Sequence, residues 1–126
     1  MTDHNGVTVV HRRYIPHSEA HYGGSLVDGA WALASFGDVA TEICIRTDAD
    51  EGLFASYSDV QFKAPIRAGD MVEAQGTIVR TGNRSRTIEF ELRVTCRSNP
   101  GKGDSAAEVL DPPESAVTAT GTVVVP

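Results

Sequence analysis

The stretch PHSEAHYGGSLVDGAWALASFGDVATEICIR, residues 16–46, decides the fold of this chain. Two glycines divide it into a polar first part and an apolar second part. The first part carries four side chains that exchange protons: His17, Glu19, His21 and Tyr22. The second part, residues 26–46, has no proline and is apolar on nearly every side. A helix of that kind is buried, so the rest of the chain has to surround it.

The predicted helix also contains three carboxylates, at Asp28, Asp38 and Glu42. Buried carboxylates are costly unless they are paired or used in chemistry. Ser25 is the predicted N-cap, with Asp28 three residues on in an approximate capping box. Asp28 can be a cap or a general base. Asp38 and Glu42 fit surface charge pairs near the end of the helix.

The rest of the chain alternates in the manner of strands. Turns are predicted at residues 68–70, as a hairpin, and at 81–84, where Gly-Asn would supply positive φ angles. A flexible loop rich in Pro, Gly and Ser is predicted over residues 98–114. The predicted strands cover residues 7–14, 53–63, 71–80, 85–97 and 117–125.

This order of elements, β–α–β–β–β–β, predicts an α+β fold. A single antiparallel sheet buries one long helix by curling around it, which is the hotdog arrangement. Residues 1–126 are expected to form one such domain. One sheet and one helix leave an edge and a face uncovered, so a homodimer or higher homo-oligomer is expected.

Composition excludes several classes of function. The net charge of −6 and pI of about 5.1 argue against a nucleic-acid or membrane footprint, so an anionic ligand needs a local basic cluster. Cys44 and Cys96 have no metal-ligand or redox-motif spacing and are predicted to be reduced core residues. The N-terminal residues do not resemble a signal peptide, which indicates a cytoplasmic protein.

Three groups of residues are candidates for a site. Gly23 and Gly24, placed before a helix, offer backbone N–H groups to an anion or an oxyanion, or else form a tight turn. His17, Glu19 and His21 lack a metal-binding spacing, so contacts with a substrate amine or proton transfer, or else a solvated polar loop, are favoured over zinc. The third group predicts a phosphate clamp, or else solvated strand ends: Lys63, Arg80, Asn83, Arg84, Ser85 and Arg86.

Two segments carry a resemblance to a known family. HYGG followed by the helix, together with VQFKAPIRAGD, resembles the hotdog acyl-CoA enzymes. The blocks AHYGGSLVDGA and FGDVATE, with the tail EVLDPP and ATGTVVVP, are similar to the 3-aminobutyryl-CoA and β-alanyl-CoA ammonia lyases. Hotdog thioesterases place an acidic residue six or seven positions after the second glycine, where this chain has Ala30 and Trp31.

The resemblance implies reversible elimination of ammonia from a 3-aminoacyl-CoA, as in amino acid catabolism such as lysine fermentation. The resemblance does not fix the role of each residue, and our hypothesis for this reaction takes Asp28 as the base, His21 or Tyr22 as the group that assists the amine, and Gly23 and Gly24 as the N–H donors to the thioester carbonyl. His17 and Glu19 would contact the substrate. Coenzyme A, with no other cofactor, would meet Lys63 and residues 83–86 of one subunit or its neighbour. A thioesterase and a non-catalytic acyl-CoA-binding protein are the alternatives.

Overall fold

The computed structural model describes residues 3–126. It contains one long helix, α1, which spans Gly29–Asp48. The strands are β1 (Thr8–Tyr14), β2 (Leu26–Val27), β3 (Leu53–Phe62), β4 (Ile66–Arg67), β5 (Met71–Thr81), β6 (Ser85–Ser98) and β7 (Ala107–Val124). Short 3₁₀ turns cover His17–Glu19, Gly23–Ser25 and Pro100–Lys102.

Five of the strands form one antiparallel sheet in the order β1-β5-β6-β7-β3. The two short strands β2 and β4 pair separately, beside the N-terminus of α1. The prediction of a single antiparallel sheet around one helix is confirmed. Strands β1 and β3, which follow each other along the chain among the five strands of this sheet, form its two edges.

The core lies between α1 and the inner face of the sheet. Phe36 of the helix stacks on Phe90 of β6, with ring centroids 5.0 Å apart. Gly76 of β5 leaves room for this packing, because a Cβ there would come within 3.0 Å of both Val39 of the helix and Phe90 of β6. Alternate residues of β5 and β6 point inward, as the period of two predicts.

The helix begins three residues later than predicted, and Ser25 is not its cap. Ser25 has a φ of 61° and ends a 3₁₀ turn, whereas Asp28 holds the N-cap position. The helix is also not buried on every side, since Asp38 is exposed in this protomer. Glu42 accepts hydrogen bonds from Arg46 and His11, each at 2.8 Å, as the charge-pair interpretation predicts.

Three predictions about turns need correction. Residues 107–114 belong to β7, whose first residues pair with Cys96–Ser98 of β6, so a flexible loop over 98–114 is wrong. Residues 68–70 form a turn but not a hairpin, because β3 pairs with β7. The turn at 81–84 does join a hairpin, but positive φ angles occur at neither Gly82 nor Asn83.

Candidate active site

The polar loop of residues 16–25 is fastened at both ends to the turn of residues 66–70. Ile15 exchanges two backbone hydrogen bonds with this turn: Gly69 N–H donates to Ile15 O at 2.7 Å, and Ile15 N–H donates to Asp70 O at 2.9 Å. Ala68 N–H donates to Ser25 O at 2.8 Å. The loop is therefore held in place by a segment some forty residues further along the chain.

The contacts of Asp70 explain the aspartate that ends the segment VQFKAPIRAGD. Its carboxylate is buried and accepts two hydrogen bonds from Arg97, at 3.0 and 2.8 Å, and one from the backbone N–H of Arg67 at 2.8 Å. Arg67 is also the β4 residue that pairs with Leu26 of β2. The buried ion pair thereby positions the short β2–β4 ladder that leads into the helix.

Asp28 lies between that ladder and the first turn of α1. Its backbone carbonyl accepts from Trp31 N–H, but its side chain makes no capping hydrogen bond. The carboxylate is partly buried and takes part in no ion pair within residues 3–126. The first N–H groups of a helix lack intrahelical acceptors and lie at the positive end of its dipole. The Asp28 carboxylate therefore lies at the helix end beside the N–H groups of Gly29 and Ala30, which precede the hydrogen-bonded N–H of Trp31.

The sequence prediction placed the two glycines at the start of the helix, but in the structure they do not lie there. Gly23 and Gly24 form a 3₁₀ turn, and β2 with Asp28 separates them from the helix. Gly24 has a φ of 71°, which explains why glycine occupies this position. The dipole of the long helix acts at Gly29 and not at this pair.

A small cavity adjoins the helix N-terminus. It measures about 270 Å³ and is lined by Val27, Gly29, Phe62, Lys63, Ala64, Pro65, Ile66 and Val117. Lys63 is the one charged residue of this lining, and the buried side chains of Val27, Ile66 and Val117 make its floor apolar. Asp28 stands in sequence between two of the lining residues, Val27 and Gly29. The cavity can receive a small, mainly apolar group beside a carboxylate.

The other predicted site residues of the loop lie on its surface. His21 and Tyr22 are exposed, with ring centroids 4.6 Å apart, and both backbone N–H groups donate to Leu26 O. These two bonds fold His21 and Tyr22 back toward β2, the strand that precedes Asp28. His17 and Glu19 are exposed as well, and the His17 ring lies against Gly69. Within residues 3–126, His, Cys, Asp and Glu side chains form no group of three that could hold a metal ion.

The predicted phosphate clamp is not a single cluster. Arg86 is buried, and its Nη2 donates to Asp48 Oδ1 at 2.7 Å, so it is a structural residue and not a phosphate contact. Lys63 N–H bonds Ala116 O, whereas Ser85 lies opposite Val124, eight residues further along β7. At about 3.3 Å per residue, Lys63 and the turn at 83–85 are roughly 25 Å apart in one protomer.

A larger depression, about 480 Å³, lies on the outer face of the sheet. Its lining includes the carboxylates Asp59, Glu89 and Glu91 and no cation. It would repel an anionic ligand, and it is separated from the helix N-terminus by the sheet.

None of the helices within residues 3–126 has the length and apolar character needed to cross a membrane.

Sequence reasoning missed Phe62 as a residue of the site. One signal was available in the sequence, because glycine is a weak helix former, and Gly29 and Gly37 within the apolar run favour close approach by a sheet or ligand. The structure confirms close approach of the sheet at Gly29, where the ring of Phe62 lies. It does not at Gly37, which has no atom within 4 Å of a built Cβ.

Comparison with known proteins agrees with this architecture. The family model described as the thioesterase superfamily matches residues 26–96. A hexameric thioesterase from Yersinia pestis superimposes with a TM-score of 0.73 at 20% identity, covering 97% of this chain and 88% of that one. The fold and the match together define a hotdog protein of the thioesterase superfamily.

Two relatives are more similar. A 3-aminobutyryl-CoA ammonia lyase from Acetoanaerobium sticklandii is 51% identical over 108 residues, which cover 86% of each chain. The β-alanyl-CoA:ammonia lyase of Clostridium propionicum superimposes with a TM-score of 0.91 at 36% identity, covering 96% of this chain and 86% of that one. Within the superfamily, the chain belongs to the family of these CoA ammonia lyases, and the family predicted from the sequence is confirmed.

Proposed function

We propose that this protein is a carbon–nitrogen lyase that reversibly eliminates ammonia from a short 3-aminoacyl-CoA to give the enoyl-CoA. The identity of 51% with a 3-aminobutyryl-CoA ammonia lyase carries this proposal. The helix end supports it with the Asp28 carboxylate, which within residues 3–126 has neither a capping bond nor an ion pair. Such a group is free to take a proton from a bound substrate.

The proposed reaction uses both features of the helix end. The free N–H groups at the start of α1 stabilise the negative charge that develops on the thioester oxygen. Asp28 removes a proton from Cα, the electron pair forms the Cα–Cβ double bond, and the Cβ–N bond breaks to release ammonia. His21 or Tyr22 keeps the amino group protonated until it leaves, and the proton on Asp28 then passes to the ammonia. Gly23 and Gly24 border the site as part of the loop.

The loop and the basic residues give the substrate its contacts in this proposal. Glu19 attracts the ammonium group of the substrate, and His17 lies beside it. Lys63, at the rim of the cavity, meets a CoA phosphate. Asn83, Arg84 and Ser85 lie too far away in the same protomer and serve a neighbouring subunit. This arrangement requires a homo-oligomer with the active site at the subunit interface, and the exposed edge strand β3 is where the neighbour would approach.

Coenzyme A is part of the substrate, and the proposal needs no further cofactor. A cytoplasmic location is also part of the proposal, and the two free thiols, Cys44 and Cys96, support this location. Hydrolysis of the thioester is the less favoured function, because Ala30 and Trp31 occupy the positions where the thioesterases carry an acidic residue.

The test is a spectrophotometric assay with crotonyl-CoA in ammonium buffer, with free thiol titrated in parallel. We expect the enoyl-thioester absorbance to fall without thiol release, since amine adds across the double bond. Thiol release at the same rate would instead identify a thioesterase. Neither signal, with crotonyl-CoA bound, would identify a non-catalytic acyl-CoA-binding protein.

A further inference from the structure

Phe62 lies directly on the first residue of the catalytic helix. A Cβ at Gly29 would overlap its ring, with Cζ at 2.8 Å and Cδ1 at 2.9 Å and Cε1 closer still. Any larger residue at position 29 would displace the ring. The ring can keep its position on the first residue of the helix because that residue has no side chain.

This contact is unlike the packing of a core aromatic residue. Phe62 is 60% exposed, whereas the neighbours that line the same cavity are nearly covered: Val27 at 6%, Ile66 at 3% and Val117 at 2%. One part of the ring packs on the helix, and in a single protomer the rest is exposed at the cavity. A large exposed aromatic at the mouth of an apolar cavity is placed to contact a ligand.

The size and chemistry of the cavity match a short acyl chain. At about 270 Å³ it is smaller than the cavities of about 300–1,000 Å³ that hold drug-sized ligands. The floor is aliphatic, and the ring of Phe62 closes the side that faces Gly29. The length of an acyl chain that fits is therefore set by the space between this ring and the floor.

We propose that Phe62 is a specificity-determining residue, whose ring on Gly29 limits the substrate to short 3-aminoacyl chains. This inference rests on the proposed function, which supplies the acyl group beside Asp28. Removal of the ring opens the cavity along the helix and admits longer chains. Enlargement of the ring narrows the cavity and favours the shortest chain. A change of one methylene alters kcat/KM by about 10- to 200-fold in an apolar pocket.

The experiment measures kcat/KM for amine addition to acryloyl-CoA, crotonyl-CoA and hex-2-enoyl-CoA. Phe62→Ala is expected to raise the ratio of kcat/KM for hex-2-enoyl-CoA to kcat/KM for crotonyl-CoA at least about tenfold. Phe62→Trp is expected to raise the ratio of acryloyl-CoA to crotonyl-CoA. Val109→Ala, an exposed apolar residue near the start of β7, is the matched control and leaves both ratios unchanged.

The outcomes separate the two proposals. Amine addition by the wild type with both ratios unmoved in folded Phe62 variants would overturn the specificity role alone. Absence of amine addition with all three thioesters would overturn the proposed function. In that case calorimetric binding of butyryl-CoA and hexanoyl-CoA gives the same ratio without turnover, and an unchanged ratio in Phe62→Ala would overturn the inference as well.

Discussion

Asp70 and Arg97 form an ion pair of two hydrogen bonds, at 2.8 and 3.0 Å, behind the proposed active site. Only 1% of the Asp70 side chain and 18% of the Arg97 side chain are exposed. The hydrogen bond that Arg67 N–H donates to the Asp70 carboxylate brings this pair into the turn that supports the loop and β2. The pair therefore connects the stability of the sheet to the placement of Asp28.

Arg97→Ala is expected to lower the free energy of unfolding by about 3 kcal/mol, because the buried Asp70 charge loses its partner. Urea unfolding followed by circular dichroism measures the change. Arg12→Ala is the control, since the Arg12 side chain is 74% exposed in its pair with Glu73 and should cost less than about 1 kcal/mol. Equal losses for the two variants would show that the Asp70–Arg97 pair has no special role.

Asp28→Asn is expected to lower kcat by about 10²- to 10⁴-fold in the amine-addition assay, because the base is lost. Stability should change by less than about 0.5 kcal/mol, since the side chain makes no capping bond and Asn is as good an N-cap as Asp. Asp38→Asn, an exposed carboxylate of the same helix, should leave both quantities unchanged. Turnover by Asp28→Asn at the wild-type rate would remove Asp28 from the mechanism.

Lys63→Ala is expected to raise KM for crotonyl-CoA about fivefold with kcat unchanged, since a phosphate contact is made equally in the ground and transition states. Steady-state kinetics at two salt concentrations measures the effect, which should shrink at high salt. Lys102→Ala, in the 3₁₀ turn far along the chain, is the control. A KM insensitive to both substitutions would assign the phosphates to other residues.

The lowered pKa of Asp48 predicts that the free energy of unfolding depends on pH. Burial raises the pKa of Asp48, but hydrogen bonds from Thr47 and Arg86 outweigh burial and hold this pKa below its ordinary value of 3.8. A lowered pKa in the folded state means that this stabilisation is present above pH 3.8 and is lost as the pH falls through the lower value. Asp48→Asn should therefore cost about 2 kcal/mol at pH 7 and progressively less as the pH falls below 3.8.

The measurement is the difference in urea unfolding between wild type and Asp48→Asn across that pH range. Asp104→Asn, an exposed residue outside the helix and strands, serves as the comparison. A difference that does not shrink as the pH falls below 3.8 would contradict the assigned ion pair with Arg86.

Local patterns were sufficient for much of the fold. The apolar run of residues 26–46 predicted the long helix, and the alternation in residues 85–97 predicted β6, because both periods are properties of neighbouring residues. The motifs around Gly23 and Asp70 identified the family for the same reason. Patterns of this kind did not reveal the strand at residues 107–114, whose Pro and Gly neighbours imitate a loop and whose strand character depends on pairing with Cys96–Ser98.

The sequence by itself determined the elements, the family and the candidate base, since these depend on residue types and short spacings. The tertiary structure decided which side chains act together. Arg86 carries the same charge as Arg84, but the strand register turns it inward to Asp48. Phe62 and Gly29 are 33 positions apart, and only the path of the chain brings them into contact. Contacts between distant residues follow from register and packing of the whole fold, which no local pattern contains.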